Sequence, residues 1–233
     1  MIMEPHDFWQ AFEPAQPRTV TVPPSYVTEM PDGRRLRLPI RLLPNQKQGL
    51  ASLIINQASF VVLDALADAL ASKLSSYRPD IIVGLPTLGL TLAAAVAVKL
   101  GHERYVPLGF SRKFWYDEEL SVPVSSITTP DQQKKLYLDP RMLPLLEGPR
   151  VVLVDDVISS GRSIRAALSL LARRRIEPVA IGAAMLQSDR WLHSLKEGPQ
   201  DVTGCVEGVL QTPLLQLTAS GDWQPADENG AAS

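Results

Sequence analysis

Two adjacent carboxylates, Asp155 and Asp156, stand directly before the run Val157-Ile158-Ser159-Ser160-Gly161-Arg162-Ser163. The residue types divide the work of holding one ligand. A turn that opens a helix has unpaired backbone N–H groups and a partial positive charge. With the hydroxyls of Ser159, Ser160 and Ser163 it suits a phosphate dianion. Gly161 lets the backbone approach that anion closely. At least one of the two acids can accept hydrogen bonds from the vicinal hydroxyls of a sugar, while the other faces a hydrated metal or a basic neighbour. The segment therefore implies a ribose phosphate. A Rossmann-like strand ending in acids before a capped helix is the plainer reading of the same residues.

The elements that must hold this turn are written as apolar runs. Val151 to Val154 reads as a buried strand, with a helix from Ser163 to about Arg175 and a strand from Pro178 to Leu186 after it. Upstream, Leu63, Ala67, Leu70 and Leu74 recur at helical spacing, with Asn56 or Ser59 as the N-terminal cap. Asp80 to Gly84 then reads as a strand, Gly89 to Leu100 as a helix stopped by Gly101, and Arg104 to Leu108 as a strand. Such alternation predicts an α/β fold, a Rossmann-like parallel sheet flanked by helices, with ligands beyond the carboxyl ends of its strands.

The flanks read differently. Arg34 to Leu42 alternates, with Leu36, Leu38, Ile40 and Leu42 on one face, and pairs with a possible strand over Leu50 to Ile55 as a small antiparallel β hood. Pro5, Pro14, Pro17, Pro23, Pro24 and Pro31 predict an irregular arm before it, laid on the surface or across a partner subunit. The expected division is residues 1–58 for arm and hood, 59–212 for the core, and 213–233 for a tail that looks disordered after Asp222.

Composition narrows the function classes. A chain of 233 residues with 45% hydrophobic residues suits one sizeable core. The formal net charge of -2 gives no general reason to expect nucleic acid or an anionic membrane as partner. Cys205 is the single cysteine, and His6, His102 and His193 are scattered, so a disulfide or a histidine metal site is not expected. With no run of about eighteen apolar residues, the expectation is a soluble cytoplasmic protein.

The run from Val151 to Ser163, with four hydrophobic residues, two acids and a hydroxyl-rich glycine loop, resembles the phosphoribosyl pyrophosphate motif of the type I phosphoribosyltransferases. A second resemblance lies in Ile81-Ile82-Val83-Gly84-Leu85-Pro86-Thr87-Leu88-Gly89, which is similar to the pyrophosphate loop of the adenine phosphoribosyltransferases. In that family a cis peptide exposes backbone amides to pyrophosphate, and Pro86-Thr87 aligns with it. Leu88 stands where the family carries arginine, so pyrophosphate must be neutralised there by Mg²⁺, by backbone dipoles or by residues brought from elsewhere. A third resemblance, Val106 to Lys113, is to the strand ending in Arg-Lys before a mobile catalytic loop. A solvated basic pair is the plainer reading of Arg112 and Lys113.

Taken together, the resemblances imply transfer of a phosphoribosyl group from phosphoribosyl pyrophosphate to a nitrogenous base, with Mg²⁺ and as a homodimer. Asp155, Asp156 and Lys113 would be catalytic, and the two acids would hold the metal mainly through water. Asp155 through Ser163 would hold phosphoribosyl pyrophosphate, with Pro86, Thr87, Leu88, Gly89, Arg112 and Lys113 on its pyrophosphate. The polar stretch from about residue 112 to 136 would be a lid that excludes water, and Glu118 or Glu119 could resemble its acidic residue. Asn56 and Trp191 are base-binding candidates, set against helix capping and core packing. Ser159, where the 6-oxopurine enzymes carry aspartate, points to an adenine-like or orotate-like base. The alternative is a regulatory protein that senses phosphoribosyl pyrophosphate or a nucleotide without chemistry.

Overall fold

The computed structural model describes residues 3–14, 22–124, 134–197 and 201–226. The chain first lays down the strands β1 (Ser25–Glu29), β2 (Arg35–Leu42) and β3 (Gln48–Ala51). The alternation of β2 is realised as fully buried Leu36 and Leu38, while Leu42 at its far end is exposed. Ser59 then accepts a hydrogen bond from the Val62 N–H and starts α1 (Phe60–Ser75), whose Val62, Leu66, Leu70 and Leu74 form the buried stripe. Ser59 is therefore the cap, and Asn56 sits exposed in the 3₁₀ turn before it.

The core follows as β4 (Ile81–Gly84), α2 (Gly89–Lys99), β5 (Val106–Pro107), the hairpin β6 (Ser121–Val124) and β7 (Lys134–Tyr137), then β8 (Val151–Ile158) and α3 (Arg162–Ala172). It continues through β9 (Ala180–Gln187), α4 (Arg190–Lys196) and β10 (Val206–Thr212). The sheet is parallel, in the order β10-β9-β8-β4-β5. Its two faces separate two apolar cores, because side chains alternate along each strand. Ile82, Val152 and Val154 pack with α1, α2 and the hood, whereas Ile81, Val83, Val151 and Leu153 pack with α3 and the β6–β7 hairpin.

One expectation is corrected here and two are made more definite. The residues assigned to a C-terminal tail include β11 (Leu214–Leu217) and β12 (Trp223–Pro225), which join the hood in the order β1-β2-β3-β11-β12. Their place is held by packing, since Trp223 lies over Gly49, where an added Cβ would meet its ring at 3.0 Å. Of the two places expected for the N-terminal arm, its residues 3–14 lie against their own chain. Phe8 and Trp9 are buried, and the Trp9 indole donates to the Ser52 carbonyl at 3.0 Å. The described ends of the polar stretch expected to be a lid are packed down. Leu120, Val122 and Leu136 are buried against the α3 face of the core. Ser125, Ser126, Thr128 and Thr129 lie outside the described residues, as does Pro17 of the arm.

Candidate active site

The strand order places the site. From β4 the chain proceeds outward to β5, and from β8 it proceeds the other way to β9 and β10, so the order reverses between β4 and β8. A crevice opens at such a switch point beyond the carboxyl ends of the strands. Pairing between β4 and β8 ends at Gly84 opposite Val154, and the Leu85 N–H makes one more bond to the Val154 carbonyl at 2.9 Å. The next two residues of β8 are Asp155 and Asp156. They stay in the strand, because β9 continues to pair with β8 as far as Ile158. The acids therefore sit on a central strand that is fixed on one side and open on the other.

Asp155 is buried, and its Oδ1 accepts the Asp156 N–H at 2.9 Å. Among the described residues neither acid forms an ion pair, so the basic neighbour that the sequence allowed is absent. Burial, and then the adjacent charge of Asp156, push the Asp155 carboxyl well above the usual carboxylate range. Burial also raises Asp156, opposed by its hydrogen bond with Asp155. Two carboxyls held this way resist carrying both charges at once, and an added cation or hydrogen-bond donor would relieve that. On the open side, Gly89 starts α2 so close that an added Cβ would meet Asp155 Oδ1 at 2.7 Å and the Asp155 Cα at 2.9 Å. Glycine is needed there to bring the pyrophosphate-loop candidates against the acids.

Past the acids, the chain turns through Ser159 and Ser160 to Gly161, which caps α3 at φ +75°. This turn encloses a cavity of about 90 Å³ lined by Asp155 and residues Val157 to Ile164. Backbone N–H groups at the start of α3, the helix dipole and three serine hydroxyls border one small space beside the acid pair. One cation was missed from the sequence. Arg190, at the start of α4, donates through Nη2 to Ser159 Oγ at 2.8 Å and through Nε to Ser188 Oγ at 3.2 Å. Its signal was its position just past the carboxyl end of β9, where a strand delivers residues to the crevice. Gln187, the last residue of β9, has the same signal, and its Nε2 donates to the Ala51 carbonyl of the hood at 2.6 Å.

Around the crevice the Pro86–Thr87 peptide is cis, at the aligned position. Leu88 packs against the core and supplies no charge. Lys113 is exposed just after β5. Arg112 lies 3.7 Å from Glu118, which also pairs with Lys135, so Glu118 is held by cations rather than free to act. Hydrogen bonding to Lys135 holds its carboxyl below the usual range. Trp191 is corrected as a base platform, since it is 7% exposed and packs with Leu195 in the core on the α3 side. Asn56 makes no side-chain hydrogen bond among the described residues and stands exposed on the 3₁₀ turn, which packs against α2.

The start of the loop is fastened by Asp139. Its carboxylate pairs with Arg141 at 2.5 Å, accepts the Trp115 indole N–H at 3.2 Å and accepts the Arg141 backbone N–H at 3.0 Å. The hydrogen-bonded Arg141 guanidinium holds its carboxyl down to about 2. A depressed acid stabilises the fold above its unfolded pKa, and that contribution is lost as pH falls through about 2. Asp139→Ala is expected to cost about 1–3 kcal/mol of stability at pH 7. The difference from the parent should vanish below pH 2 in acid melts, and a variant as stable as the parent at pH 7 would show the cluster to be inert.

Residues 54–214 match the phosphoribosyl transferase domain family, and the chain belongs to that family. The chain is 29% identical over 155 residues to an orotate phosphoribosyltransferase of Methylibium petroleiphilum, covering 65% of this chain and 58% of that protein. It is 31% identical over 124 residues to a hypoxanthine/guanine phosphoribosyltransferase of Methanobacterium paludis, covering 53% and 60%. Similarity extends to the transcriptional regulator GfcR of Archaeoglobus fulgidus, at 30% identity over 130 residues and 56% and 57% coverage. The chain thus spans under two thirds of the length of these relatives. In fold it resembles the adenine phosphoribosyltransferase of Giardia lamblia complexed with 9-deazaadenine, with a TM-score of 0.57, 18% identity, and coverage of 74% of this chain and 93% of that one. The architecture is the type I phosphoribosyltransferase fold with a β hood.

Proposed function

We propose that this chain transfers the phosphoribosyl group of phosphoribosyl pyrophosphate to a nitrogenous base. The carrying observation is the phosphate-sized cavity at the start of α3, directly beside two raised, unpaired acids at the switch point of the sheet. In this reading the cavity takes the 5′-phosphate on the amides and hydroxyls of Ser159 to Ser163. Asp155 and Asp156 grip the ribose hydroxyls. Pro86 to Gly89 present backbone dipoles to the pyrophosphate, and Lys113 reaches it from the loop. The C1′–oxygen bond to pyrophosphate breaks, a bond from C1′ to the base nitrogen forms with inversion, and the nitrogen's proton leaves to solvent. Positioning and stabilisation of the leaving group supply the rate, so no strong general base is required.

Two carboxylates with no third acid, cysteine or histidine beside them among the described residues fit a cation held partly by water and by the ligand's own phosphates. Mg²⁺ bound there would neutralise the leaving pyrophosphate, which matters because Leu88 cannot. Ser159 supports an adenine-like or orotate-like base over a 6-oxopurine, and the Gln187 Oε1, beside an amide that donates to the Ala51 carbonyl of the hood, would accept from a base edge. The curated relatives carry names for different bases, so the base is the open variable of the assay. A cytoplasmic homodimer completes the reading by resemblance.

A second reading is a sensor of phosphoribosyl pyrophosphate that has lost the chemistry. Leu88 in the pyrophosphate loop favours it, as does similarity to an archaeal transcriptional regulator. Incubation with phosphoribosyl pyrophosphate, Mg²⁺ and adenine, hypoxanthine, guanine or orotate, followed by pyrophosphate release, decides between them. Release with one base is expected, and it should disappear when Asp155 and Asp156 are both replaced by asparagine. Calorimetric binding without release for any base would support the sensor. No binding of phosphoribosyl pyrophosphate at all would overturn both.

A further inference from the structure

Behind the phosphate loop, on the outer side of α3, runs a second cleft of about 790 Å³ between α3, α4 and β6. Arg162, Arg165 and Arg173 line it from α3 with Ser169 between them, and Arg190 and His193 enter from α4. The spacing of 3, 4 and 4 residues puts residues 162, 165, 169 and 173 on one helix face, about 16 Å from end to end. Four guanidiniums in one cleft are unexpected in a chain whose net charge is -2. Surface arginines ordinarily sit among acids. Here, among the described residues, none of the four is within ion-pair distance of a carboxylate. Arg173 donates only to the Glu119 carbonyl, at 3.0 Å, and Arg190 only to two serines. The one acid paired at the rim is Glu197, 3.2 Å from His193. Like charges held together without counter-ions raise the free energy of the free protein, and an anion relieves that cost.

We propose that this cleft is a second binding site, for the oligophosphate chain of a small ligand, separate from the phosphoribosyl pyrophosphate pocket and adjoining it. Guanidinium forks bind phosphate oxygens in pairs, and a row of them along a helix suits several phosphates in line. A nucleic-acid strand fits less well. The apolar lining is Val122, Pro123 and Ala166, without Phe, Tyr or Trp, and the one aromatic ring in the lining, the His193 imidazole, is paired with Glu197. Beyond the cleft the negative balance of the chain opposes a long polyanion. The cleft also touches the first site directly, since Ser160 and Arg162 border both cavities and Arg190 holds Ser159. A ligand that draws Arg190 into the cleft withdraws it from the phosphate loop.

Calorimetry on the full chain, with inorganic tripolyphosphate, ATP and a uridylate oligomer as separate titrants, tests this. With ribose 5-phosphate saturating, tripolyphosphate and ATP should each still bind at about one equivalent. Equal affinities would mean that the phosphates alone are read, and tighter ATP would mean a nucleotide. Arg165→Ala with Arg173→Ala should weaken both by roughly tenfold or more, since two charge-assisted contacts are lost, and should leave ribose 5-phosphate binding unchanged. Ser169→Glu, which adds a carboxylate to the middle of the row, should do the same without removing either arginine. Parent-like tripolyphosphate binding in both variants would overturn the proposal. So would displacement of tripolyphosphate by ribose 5-phosphate, or binding of the uridylate oligomer that tripolyphosphate does not compete away. Loss of ribose 5-phosphate binding alone would instead count against the transfer reading.

Discussion

Asp155→Asn is expected to abolish phosphoribosyl transfer and, in the metal-free protein at pH 8, to raise the melting temperature. Both effects come from one fact: Asp155 is an acid buried on a central strand, with no cation paired to it among the described residues. For a carboxyl whose folded pKa lies above its unfolded value, the native state binds more protons between those two values. Stability therefore falls as pH rises through that window, and the deficit is complete above the folded pKa. Asparagine keeps the shape and the acceptor oxygen for the Asp156 N–H but removes the charge. A gain of about 1–2 kcal/mol, or roughly 2–8 °C in a chain of this size, is the expected scale at pH 8. It should shrink towards zero near pH 4, where the parent is itself protonated. Transfer should fall by at least a hundredfold to about a thousandfold, as when a fixed group that stabilises the transition state is removed. A less stable Asp155→Asn protein at pH 8 would mean that the carboxylate is structurally supported after all. Activity near the parent value would remove it from the site.

Much of this site was written locally, and what was not local was not legible. The strand and helix on either side of Asp155 are set by apolar period and by one glycine with positive φ, which are properties of neighbouring residues. The helix cap is Ser59 rather than Asn56 because Asn56 is taken up in the 3₁₀ turn Ile55–Gln57 while Ser59 is extended, a difference that spacing does not encode. The hood was only half visible for a different reason. Leu214 pairs with Leu50, 164 positions away in the chain, and strand propensity carries no partner's address. Arg190 was passed over in favour of its neighbour Trp191 because an isolated tryptophan attracts a binding role more readily than an isolated arginine. In the structure, helix α4 turns the ring into the core and the guanidinium towards Ser159. The cleft whose arginines lack carboxylate partners among the described residues was hidden too. Only Arg162, Arg165 and Arg173 share an element, and nothing in the sequence says that acids stay away from them.

The closeness of α2 to the acids predicts the second large effect, from a single methyl group. Gly89→Ala places a Cβ at 2.7 Å from Asp155 Oδ1, 2.9 Å from Asp155 Cα and 3.2 Å from the Asp156 nitrogen. Two of those atoms are backbone of a strand paired to β9, so the strand cannot yield easily and α2 must move. Alanine gains up to about 1 kcal/mol of helix propensity over glycine. Overpacking against fixed backbone costs about 1–3 kcal/mol, so the net change is destabilising, by a few degrees in melting temperature. The functional loss should be larger in proportion. A shift of about 1 Å between the Pro86–Gly89 loop and the acids misaligns pyrophosphate and ribose, and misplacement on that scale costs about a hundredfold in kcat/KM. Gly101→Ala is the matched control: its φ of +78° makes alanine strained there, yet nothing lies within 4 Å of the added Cβ. It should lower stability comparably and leave kcat/KM alone. If both variants lose stability but neither loses activity, the contact between α2 and β8 serves packing alone, and the pyrophosphate role of residues 86–89 falls with it.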